Sequence, residues 1–294
     1  TERADRKRVR DSISRSMRLL RPWRCEFRLH LPDGGSRWLR GSATPQREGE
    51  GAVLWHGYLE DVSELHELEQ VRLADVFVHY DDVQLSKGSF VNRVQIKTAE
   101  GLRWMTVPLY GLQLGQRINE VRVAAGNDWR TRHLAMLKRS FDGAPHAQDA
   151  LQLVHEVYAE DHPHVGALAR ASLLALCKYL GLDTNTRFID VEAMNLPGRS
   201  SDRVLQVVKA LGGDNYLTGH GAANYLDHVG FAAQGVTVKY MDYQKRAYPQ
   251  FHGPFTPYVS GLDLVAHCGP AGKEVLCSGT VDWPTFLQAR ARLS

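Results

Sequence analysis

The stretch ADVFVHYDDVQLSKGSFVNRVQIKT, residues 74–98, places an apolar segment directly before a run of polar side chains. Its first seven residues are typical of a buried strand. The residues that follow include two adjacent acids, two lysines, an arginine, two serines and an asparagine. In open α/β sheets, ligands bind on the loops beyond the carboxyl ends of the strands. The stretch therefore predicts a strand followed by a ligand-facing loop.

This polar run contains the first candidate binding site. Its acids would accept hydrogen bonds from substrate hydroxyls, and its basic side chains would hold a phosphate or a carboxylate. The predicted partner is therefore a small anionic molecule. The candidate residues are Asp81, Asp82, Lys87, Ser89, Asn92, Arg93 and Lys97. The alternative is a solvated loop whose charges pair with each other.

Strand-like and helix-like segments alternate through the rest of the chain. Strands are predicted at 74–80, 94–98, 103–109, 118–124, 186–194, 215–219 and, as the last strand, 236–243. Helices are predicted at 128–141, 151–160, 165–182, 200–213 and 220–235. This alternation predicts an α/β domain, residues 66–294, with a mixed or mostly parallel sheet flanked by helices.

A second candidate site lies at the start of the predicted helix 200–213. Ser200 and Ser201 are typical of a helix start, where free N–H groups attract anions. A phosphate bound there would lie beside Arg203. An ordinary helix cap explains the same serines without a ligand. The GxxxxGK[ST] spacing of a Walker loop is absent from the sequence.

Two further candidates follow the predicted strands near the end of the chain. His220 stands between two glycines, which let a backbone approach a ligand closely, and a histidine held there could act as a general base. The glycines also fit an ordinary turn. Tyr243 and Tyr248 follow the strand 236–243 and could stack on a sugar or a base, or belong to a packed loop fixed by proline.

Composition excludes several classes of protein. The 294 residues are 43% hydrophobic and 23% charged, as in soluble globular proteins of one large or two ordinary domains. The net charge of +3 is small and the basic residues are interleaved with acids, so we expect no nucleic-acid binding. No apolar run approaches the roughly 20 residues that span a bilayer.

The cysteine and histidine patterns limit which cellular compartment and which metal chemistry the sequence suggests. The four cysteines are scattered without a CxxC pair, which favours a reducing cytoplasm over a disulfide framework. The 13 histidines include no HExxH or equivalent spacing, so we expect no metal site. The sequence does not identify a cofactor.

Residues 1–65 predict a separate, smaller module. A helical pattern is followed by three segments with strand character at 23–31, 36–44 and 53–62. Apolar and polar residues alternate in 23–31, as in a sheet with one buried face. We predict an antiparallel α+β module, and because the chain begins within the helical pattern we expect it to be a fragment of a longer protein.

Two segments of this module resemble the C-terminal half of a PAS sensor domain. They are RPWRCEFRLHLPDGGSRWLRGSATP, residues 21–45, and GYLEDVSE, residues 57–64. The resemblance implies a sensory or protein-interaction module that passes signals through the following segment 63–73, and homodimer formation through this module is one expectation. The family's first strands and short helices have no counterpart here.

The rest of the chain resembles another family. The blocks ADVFVHYDDVQLSKGSFVNRVQIKT, RWMTVPL, SSDRVLQVVKALGGDNYLTGHGAANYLD, VKYMDYQKRAYPQ and LDLVAHCG are similar to the WbqC-like family over about residues 71–270. The resemblance implies a biosynthetic transferase that acts on an activated sugar or amino-acyl group in bacterial O-antigen, other polysaccharide or specialised-metabolite synthesis.

The resemblance suggests roles for the candidate residues. Asp81 or Asp82 would orient or deprotonate an acceptor, and His220 would be a second acid–base group. Lys87, Asn92 and Arg93 would hold the anionic part of the donor. The aromatic and proline-containing stretch that opens the family has no match here. The alternative is a non-catalytic signalling or scaffold protein that associates through the PAS-like module and the helix after it.

Overall fold

The computed structural model describes residues 3–19, 23–30, 36–47, 53–61, 64–85, 90–113, 115–126 and 128–291. The chain divides into two compact units. The first comprises residues 1–62 and 220–224, and the second comprises residues 63–219 and 225–294.

In the described part of residues 1–62, the first unit forms an α-helix and a three-stranded antiparallel sheet. Its elements are α1 (Arg3–Leu19), β1 (Trp23–His30), β2 (Ser36–Arg47) and β3 (Val53–Asp61), with the strand order β1-β2-β3. The register pairs Phe27 with Leu39 and Gly41 with Leu59. The Trp23 indole donates a hydrogen bond to the Ser12 hydroxyl, and this polar contact joins α1 to β1.

The second unit alternates strands and helices. Its helices are α2 (Glu64–Leu73), α3 (Asp128–Ser140), α4 (Ala147–Ala159), α5 (Val165–Leu180), α6 (Ser200–Ala210), α7 (His228–Ala233), α8 (Gly261–Cys268) and α9 (Trp283–Ala291). Its strands are β4 (Val76–His79), β5 (Arg93–Thr98), β6 (Gly101–Thr106), β7 (Leu109–Tyr110), β8 (Arg122–Val123), β9 (Arg187–Asp190), β10 (Asn215–Thr218), β11 (Thr237–Asp242) and β12 (Gly279–Asp282).

The predicted α/β class is confirmed, in the form of helices with several small sheets. Strands β4 and β9 are parallel, with Phe77 opposite Phe188. Strands β10 and β11 are also parallel, and β12 joins β11 in the antiparallel direction. The pairs β5–β6 and β7–β8 are antiparallel. Parallel neighbours require a crossover, which helices between the paired strands provide.

Four sequence-based element assignments need correction. The predicted strand 186–194 ends at Asp190, and a 3-10 turn follows at Val191–Met194. The strand 236–243 is not the last one, because the four-residue strand β12 pairs with it. The predicted strand 118–124 is a 3-10 turn at Ile118–Glu120 followed by the two-residue strand β8. The predicted helix 220–235 is divided into a 3-10 turn and α7, because the Asp227 carboxylate accepts a hydrogen bond from the Gly230 N–H and starts a new helix.

The main core of the second unit lies between α2, α5 and α8. All residues of α8 from Gly261 to His267 are buried, and α5 contributes Leu173, Leu176 and Leu180. The helix α5 stops at Gly181, whose φ of 67° is the left-handed conformation that glycine adopts readily. These helices cover the parallel pair β4–β9 through Phe77 and Phe188.

The helix that follows the first unit packs into this core. Leu65, Leu68 and Val71 of α2 are buried, and Leu68 has no exposed surface. Burial of a leucine side chain contributes about 1.5–3 kcal/mol. The buried residues of α2 pack within the second unit.

Candidate functional site

The parallel strands β4 and β9 end side by side, and a set of charged residues lies at that edge. His79, the last residue of β4, is in register with Asp190, the last residue of β9. The chain continues from His79 into Tyr80, Asp81 and Asp82. The carboxyl ends of parallel strands are where ligands bind in open α/β folds. We therefore call His79, Asp81, Arg170 and Asp190, together with Asn119 whose N–H bonds to the Asp81 carbonyl, the β4 site.

Asp81 points towards the start of α5. It is 7% exposed, and one of its oxygens, Oδ2, lies 3.6 Å from the Arg170 guanidinium. Arg170 also forms an ion pair with Asp190, so a single arginine joins the residues that follow the two strands. The backbone carbonyl of Asp81 accepts a hydrogen bond of 3.0 Å from the Asn119 N–H. These contacts fix Asp81 from two directions.

Gly166, in the first turn of α5, makes room for this carboxylate. A Cβ atom added at Gly166 would lie 3.0 Å from Asp81 Oδ2 and 2.9 Å from Ile118 Cγ2. Those separations are shorter than side-chain contacts allow, so a larger residue would move either neighbour. The position of the Asp81 carboxylate therefore depends on a glycine at 166.

Asp82 is engaged by a different helix. Its two oxygens accept hydrogen bonds of 2.9 and 2.5 Å from the Arg203 guanidinium of α6. Arg203 also donates to the Leu196 carbonyl and lies 5.1 Å from the Tyr80 ring centroid. The hydrogen bonds that Arg203 donates to Asp82 raise the pKa of Arg203 above its ordinary value. The acid pair is thus divided, with Asp82 held in a bidentate ion pair.

The β4 site leaves buried polar atoms without partners. Among the described residues, His79 Nε2, Asp81 Oδ1 and Asn119 Oδ1 have no hydrogen-bond partner. An unpaired buried polar group costs about 1–3 kcal/mol, and such groups are uncommon in folded proteins. A bound molecule that supplies hydrogen-bond donors would satisfy these atoms.

His79 is held by aromatic contacts. Its ring stacks on Phe188 with centroids 5.8 Å apart and an interplanar angle of 19°, and Phe77 meets it edge-on. Burial lowers the pKa of His79, and so does the nearby Arg170 charge, against the opposite effects of Asp190 and Asp81. The imidazole is therefore neutral at pH 7 and able to accept a proton.

The other predicted residues of the 81–98 strip have separate contacts. Lys87 and Ser89 lie outside the described residues. The Asn92 amide donates to the Val107 carbonyl, and the Arg93 guanidinium lies 4.4 Å from the Trp104 ring centroid. Neither contact joins these two side chains to Asp81.

Lys97 is 5% exposed and points to another loop. Its ammonium donates hydrogen bonds to Gln250 Oε1 and to the carbonyls of Gly253 and Pro254, at 3.2, 2.9 and 2.7 Å. Burial lowers its pKa, while Asp263 acts in the opposite direction.

The candidate serines lie at the start of α6. Arg199 occupies the cap position and makes no side-chain cap hydrogen bond, and Ser200 is exposed with a φ of 52°. Ser201 is buried, and its hydroxyl accepts a hydrogen bond of 2.8 Å from the Asp227 N–H, which joins α6 to the start of α7. Of this group, Arg203 contacts the acid pair through Asp82.

The remaining candidates lie elsewhere. His220 is exposed in a 3-10 turn that groups with the first unit. The Tyr243 hydroxyl accepts a hydrogen bond from Gln70, and its ring stacks on His66 at 3.7 Å. The Tyr248 hydroxyl donates to Asp263. Both tyrosines line a small open pocket that follows β11.

Family comparison agrees with this division of the chain. A sequence model of the WbqC-like protein family matches residues 68–275, which is more than half of the chain. The chain belongs to the WbqC-like protein family. The β4 site lies inside the WbqC-like region, and a model of the PAS fold matches residues 2–59, so both resemblances read from the sequence are confirmed.

Comparison with a single relative gives a further result. The WbqC-like chain is 30% identical, over 227 residues, to the uncharacterized protein Rv1507c of Mycobacterium tuberculosis. The alignment covers 76% of this chain and 93% of the relative. No solved structure matches the chain.

Sequence reasoning missed several residues of the β4 site. His79 was within the decisive stretch, and its place as the last residue of an apolar strand was the available signal. Arg170 was also visible as a charged residue in the otherwise apolar helix 165–180. Nothing in the sequence pointed to Asn119, whose contact with Asp81 depends on the tertiary fold.

The described part of the chain lacks both a metal-binding cluster and a membrane-spanning helix. It holds no group of three or more His, Cys, Asp or Glu side chains arranged to bind a metal ion. Within the same residues, no helix combines the length and the apolar character needed to cross a membrane.

Proposed function

We propose that this WbqC-like protein is a biosynthetic transferase. It acts on an activated sugar or an acyl or amino-acyl donor in bacterial polysaccharide or specialised-metabolite synthesis. The observation that carries the proposal is the pair of buried, unpaired atoms His79 Nε2 and Asp81 Oδ1 where the parallel strands β4 and β9 end. Family membership supports the biosynthetic context.

In this proposal His79 and Asp81 share the work on the acceptor. Asp81 Oδ1 accepts a hydrogen bond from the acceptor group and orients it. Neutral His79 takes a proton from the acceptor while the lone pair of the acceptor attacks the donor. The bond from the donor carbon to the leaving group breaks, and the leaving group keeps the electron pair. Asp82 is the weaker choice for this role because Arg203 occupies both of its oxygens.

Arg170 is a positioning residue in the same scheme. It lies between two carboxylates, Asp81 and Asp190, and so holds the ends of β4 and β9 in a fixed relation. Lys87 and Arg93, predicted from the sequence to hold the donor's anionic part, remain the proposed donor-binding residues. His220 keeps its proposed role as a second acid–base group.

A ligand screen tests the proposal. Nucleotide sugars, acyl donors, amino acids and sugars are added to the wild type, to Asp81→Asn and to His79→Gln, and the thermal unfolding midpoint is recorded. A ligand that binds the folded state raises that midpoint. We expect a compound that stabilises the wild type, is transferred by it, and loses at least tenfold in turnover in both variants.

Two exposed positions supply matched controls. Asp161→Asn and His155→Gln repeat the chemical changes away from the β4 site and should leave binding and turnover unchanged. Transfer that survives in both Asp81→Asn and His79→Gln would refute this assignment of the active site. A complete lack of transfer by the wild type with every donor class would refute the transferase.

We also propose that the PAS-like region regulates this activity. Support comes from the PAS fold match at residues 2–59 and from α2, which follows directly and packs in the core of the second unit. The proposed domain boundary at residue 65 falls within α2, so the truncated chain should begin at residue 63 to keep that helix whole. Removal of residues 1–62 should change the turnover rate while the truncated chain still binds substrate. Equal rates in the full and truncated chains would exclude regulation.

A further inference from the structure

We infer that the acceptor group bound at His79 and Asp81 is a primary amine, as found in amino sugars and amino acids. The inference rests on the proposed function and narrows its acceptor from any nucleophile to one chemical class. It follows from the kind of atoms left unpaired in the β4 site and from the charge of the residues around them.

The unpaired atoms are all able to accept hydrogen bonds. Asp81 Oδ1 and Asn119 Oδ1 are oxygens, and His79 Nε2 is an acceptor when the ring proton is on the other nitrogen. An ammonium group carries three N–H donors and no acceptor, whereas a hydroxyl carries one donor. The donor count of an ammonium therefore matches this group of atoms better than that of a hydroxyl.

Charge at the site favours the same ligand. Asp81 and Asp190 each carry a negative charge, and Arg170, which contacts both, carries one positive charge. The ion pair of Asp82 with Arg203 is neutral as a unit. Two carboxylates against one guanidinium leave one net negative charge beside a neutral His79. A single cationic group on the ligand would balance it.

The chemistry of the step follows from this arrangement. The bound ammonium is not nucleophilic, and His79 Nε2 removes one of its protons. The freed nitrogen lone pair attacks the electrophilic carbon of the activated donor, and a new N–C bond forms. The bond from that carbon to the leaving group breaks, and the leaving group departs with the electron pair. The proton on His79 passes to solvent after the product leaves.

Pairs of ligands that differ in one group provide the test. Glucosamine and glucose form one pair, and alanine and lactate form the other, so the two arms separate amino sugars from amino acids. Isothermal titration at pH 7.5 measures each dissociation constant for the wild type, for Asp81→Asn and for the control Asp161→Asn. Thermal unfolding without ligand verifies that each variant is folded.

We expect the amine of at least one pair to bind the wild type at least tenfold more tightly than its hydroxyl counterpart. Asp81→Asn should remove most of that preference, and Asp161→Asn should keep it. Equal or tighter binding of the hydroxyl compound would overturn the inference, as would an amine preference that survives in Asp81→Asn. If neither amine binds, the inference is also overturned.

The outcome is separable from that of the proposed function. Transfer to hydroxyl acceptors without amine binding would support the proposed transferase activity and contradict the inference that the acceptor is an amine. An Asp81-dependent amine preference with no transfer from any donor class would support the amine-binding site and contradict the proposed transferase activity.

Discussion

Two clusters of ionisable residues in the second unit differ in how well their polar atoms are paired. We call Lys97, Tyr248, Asp263 and His267 the α8 cluster. Its side chains bond to each other and to the loop 250–254. The β4 site, by contrast, leaves His79 Nε2 and Asp81 Oδ1 without partners in the part of the chain that the structure describes.

The α8 cluster has the features expected of a structural network. Asp263 is 2% exposed and accepts a hydrogen bond of 2.9 Å from the Tyr248 hydroxyl. Burial opposes the charged form of His267, but hydrogen bonds to the carboxylate and carbonyl of Asp263 raise its pKa above the ordinary value. His267 also accepts from the Phe251 N–H, so the cluster fixes a loop against α8.

The pairing of polar atoms indicates which ionisable side chains belong to a functional site. All four residues of the α8 cluster are buried, whereas in the β4 site Asp81 is buried and the Asp190 side chain is 44% exposed, so the clusters differ in burial as well as in pairing. A satisfied network stabilises one conformation, while unpaired atoms at strand ends leave hydrogen-bonding capacity for a ligand. Four changes test whether this distinction holds.

The largest effect is expected at Asp263. Replacing it with alanine leaves the buried Tyr248 hydroxyl and His267 without their carboxylate, and breaking such a network costs about 3–5 kcal/mol of unfolding free energy. Urea unfolding of the full chain measures the change. Asp161→Ala, at an exposed position, should stay within about 0.5 kcal/mol of the wild type. A loss below about 1 kcal/mol at Asp263 would break the comparison.

The next largest loss of unfolding free energy is expected at Lys97. A methionine fills a similar volume but cannot donate to the three oxygens that the ammonium contacts. Each unsatisfied buried group costs about 1–3 kcal/mol, and partial relaxation of the loop suggests a total of about 2–3 kcal/mol. The matched control is Lys273→Met, at an exposed position. Wild-type stability with lost ligand binding would instead support the original prediction of Lys97 as a binding residue.

Both ring nitrogens of His133 have hydrogen-bond partners, so this residue can be compared with His79. Its Nε2 donates to the Thr106 carbonyl and its Nδ1 accepts from the Tyr158 hydroxyl, so the ring is neutral. Burial lowers its pKa from 6.5 to about 4. The unfolded chain therefore binds more protons between these values, and stability is full above pH 6.5 and lost as the pH falls towards 4.

From pH 7 to pH 5 this linkage should remove about 2 kcal/mol of unfolding free energy. Chemical denaturation at the two pH values, for the wild type and for His133→Gln, measures the difference. The variant should lose less stability than the wild type over the same interval. His155→Gln, at an exposed position, should lose as much as the wild type. Identical pH dependence in His133→Gln would contradict the assignment.

The smallest stability effect is expected at Asp81. The change to asparagine removes an ion pair at 3.6 Å with a partly exposed arginine that keeps Asp190 as a partner. Such pairs contribute about 0–1 kcal/mol, so the unfolding free energy should change by less than about 1 kcal/mol while ligand binding is lost. A loss as large as that of Asp263→Ala would place Asp81 in a structural network as well.

Local patterns predicted much of the fold. The strand ending at His79 and the helices 128–140 and 165–180 follow from apolar periodicity. Helix α8 was missed because it is short and buried on nearly every side, so it shows no polar face. Strand β12 was missed because four residues carry too little pattern.

The candidate site was harder to predict, because its contacts join distant residues. Asp81 was singled out by its position, but its neighbours Gly166 and Arg170 come from another helix. Lys97 has the residue type of an anion-binding group, yet its partners at 250–254 lie more than 150 positions along the chain. Residue type and local order indicate which side chains are polar, and tertiary packing decides which of them are satisfied.

Gly166 gives a way to sort relatives of this protein by sequence. A side chain at this position would displace the Asp81 carboxylate or Ile118, so the two positions are expected to vary together. Relatives that keep a glycine here and an aspartate after the first strand should share the same acceptor chemistry. Relatives with a larger residue at this position mark a natural boundary of that chemistry within the family.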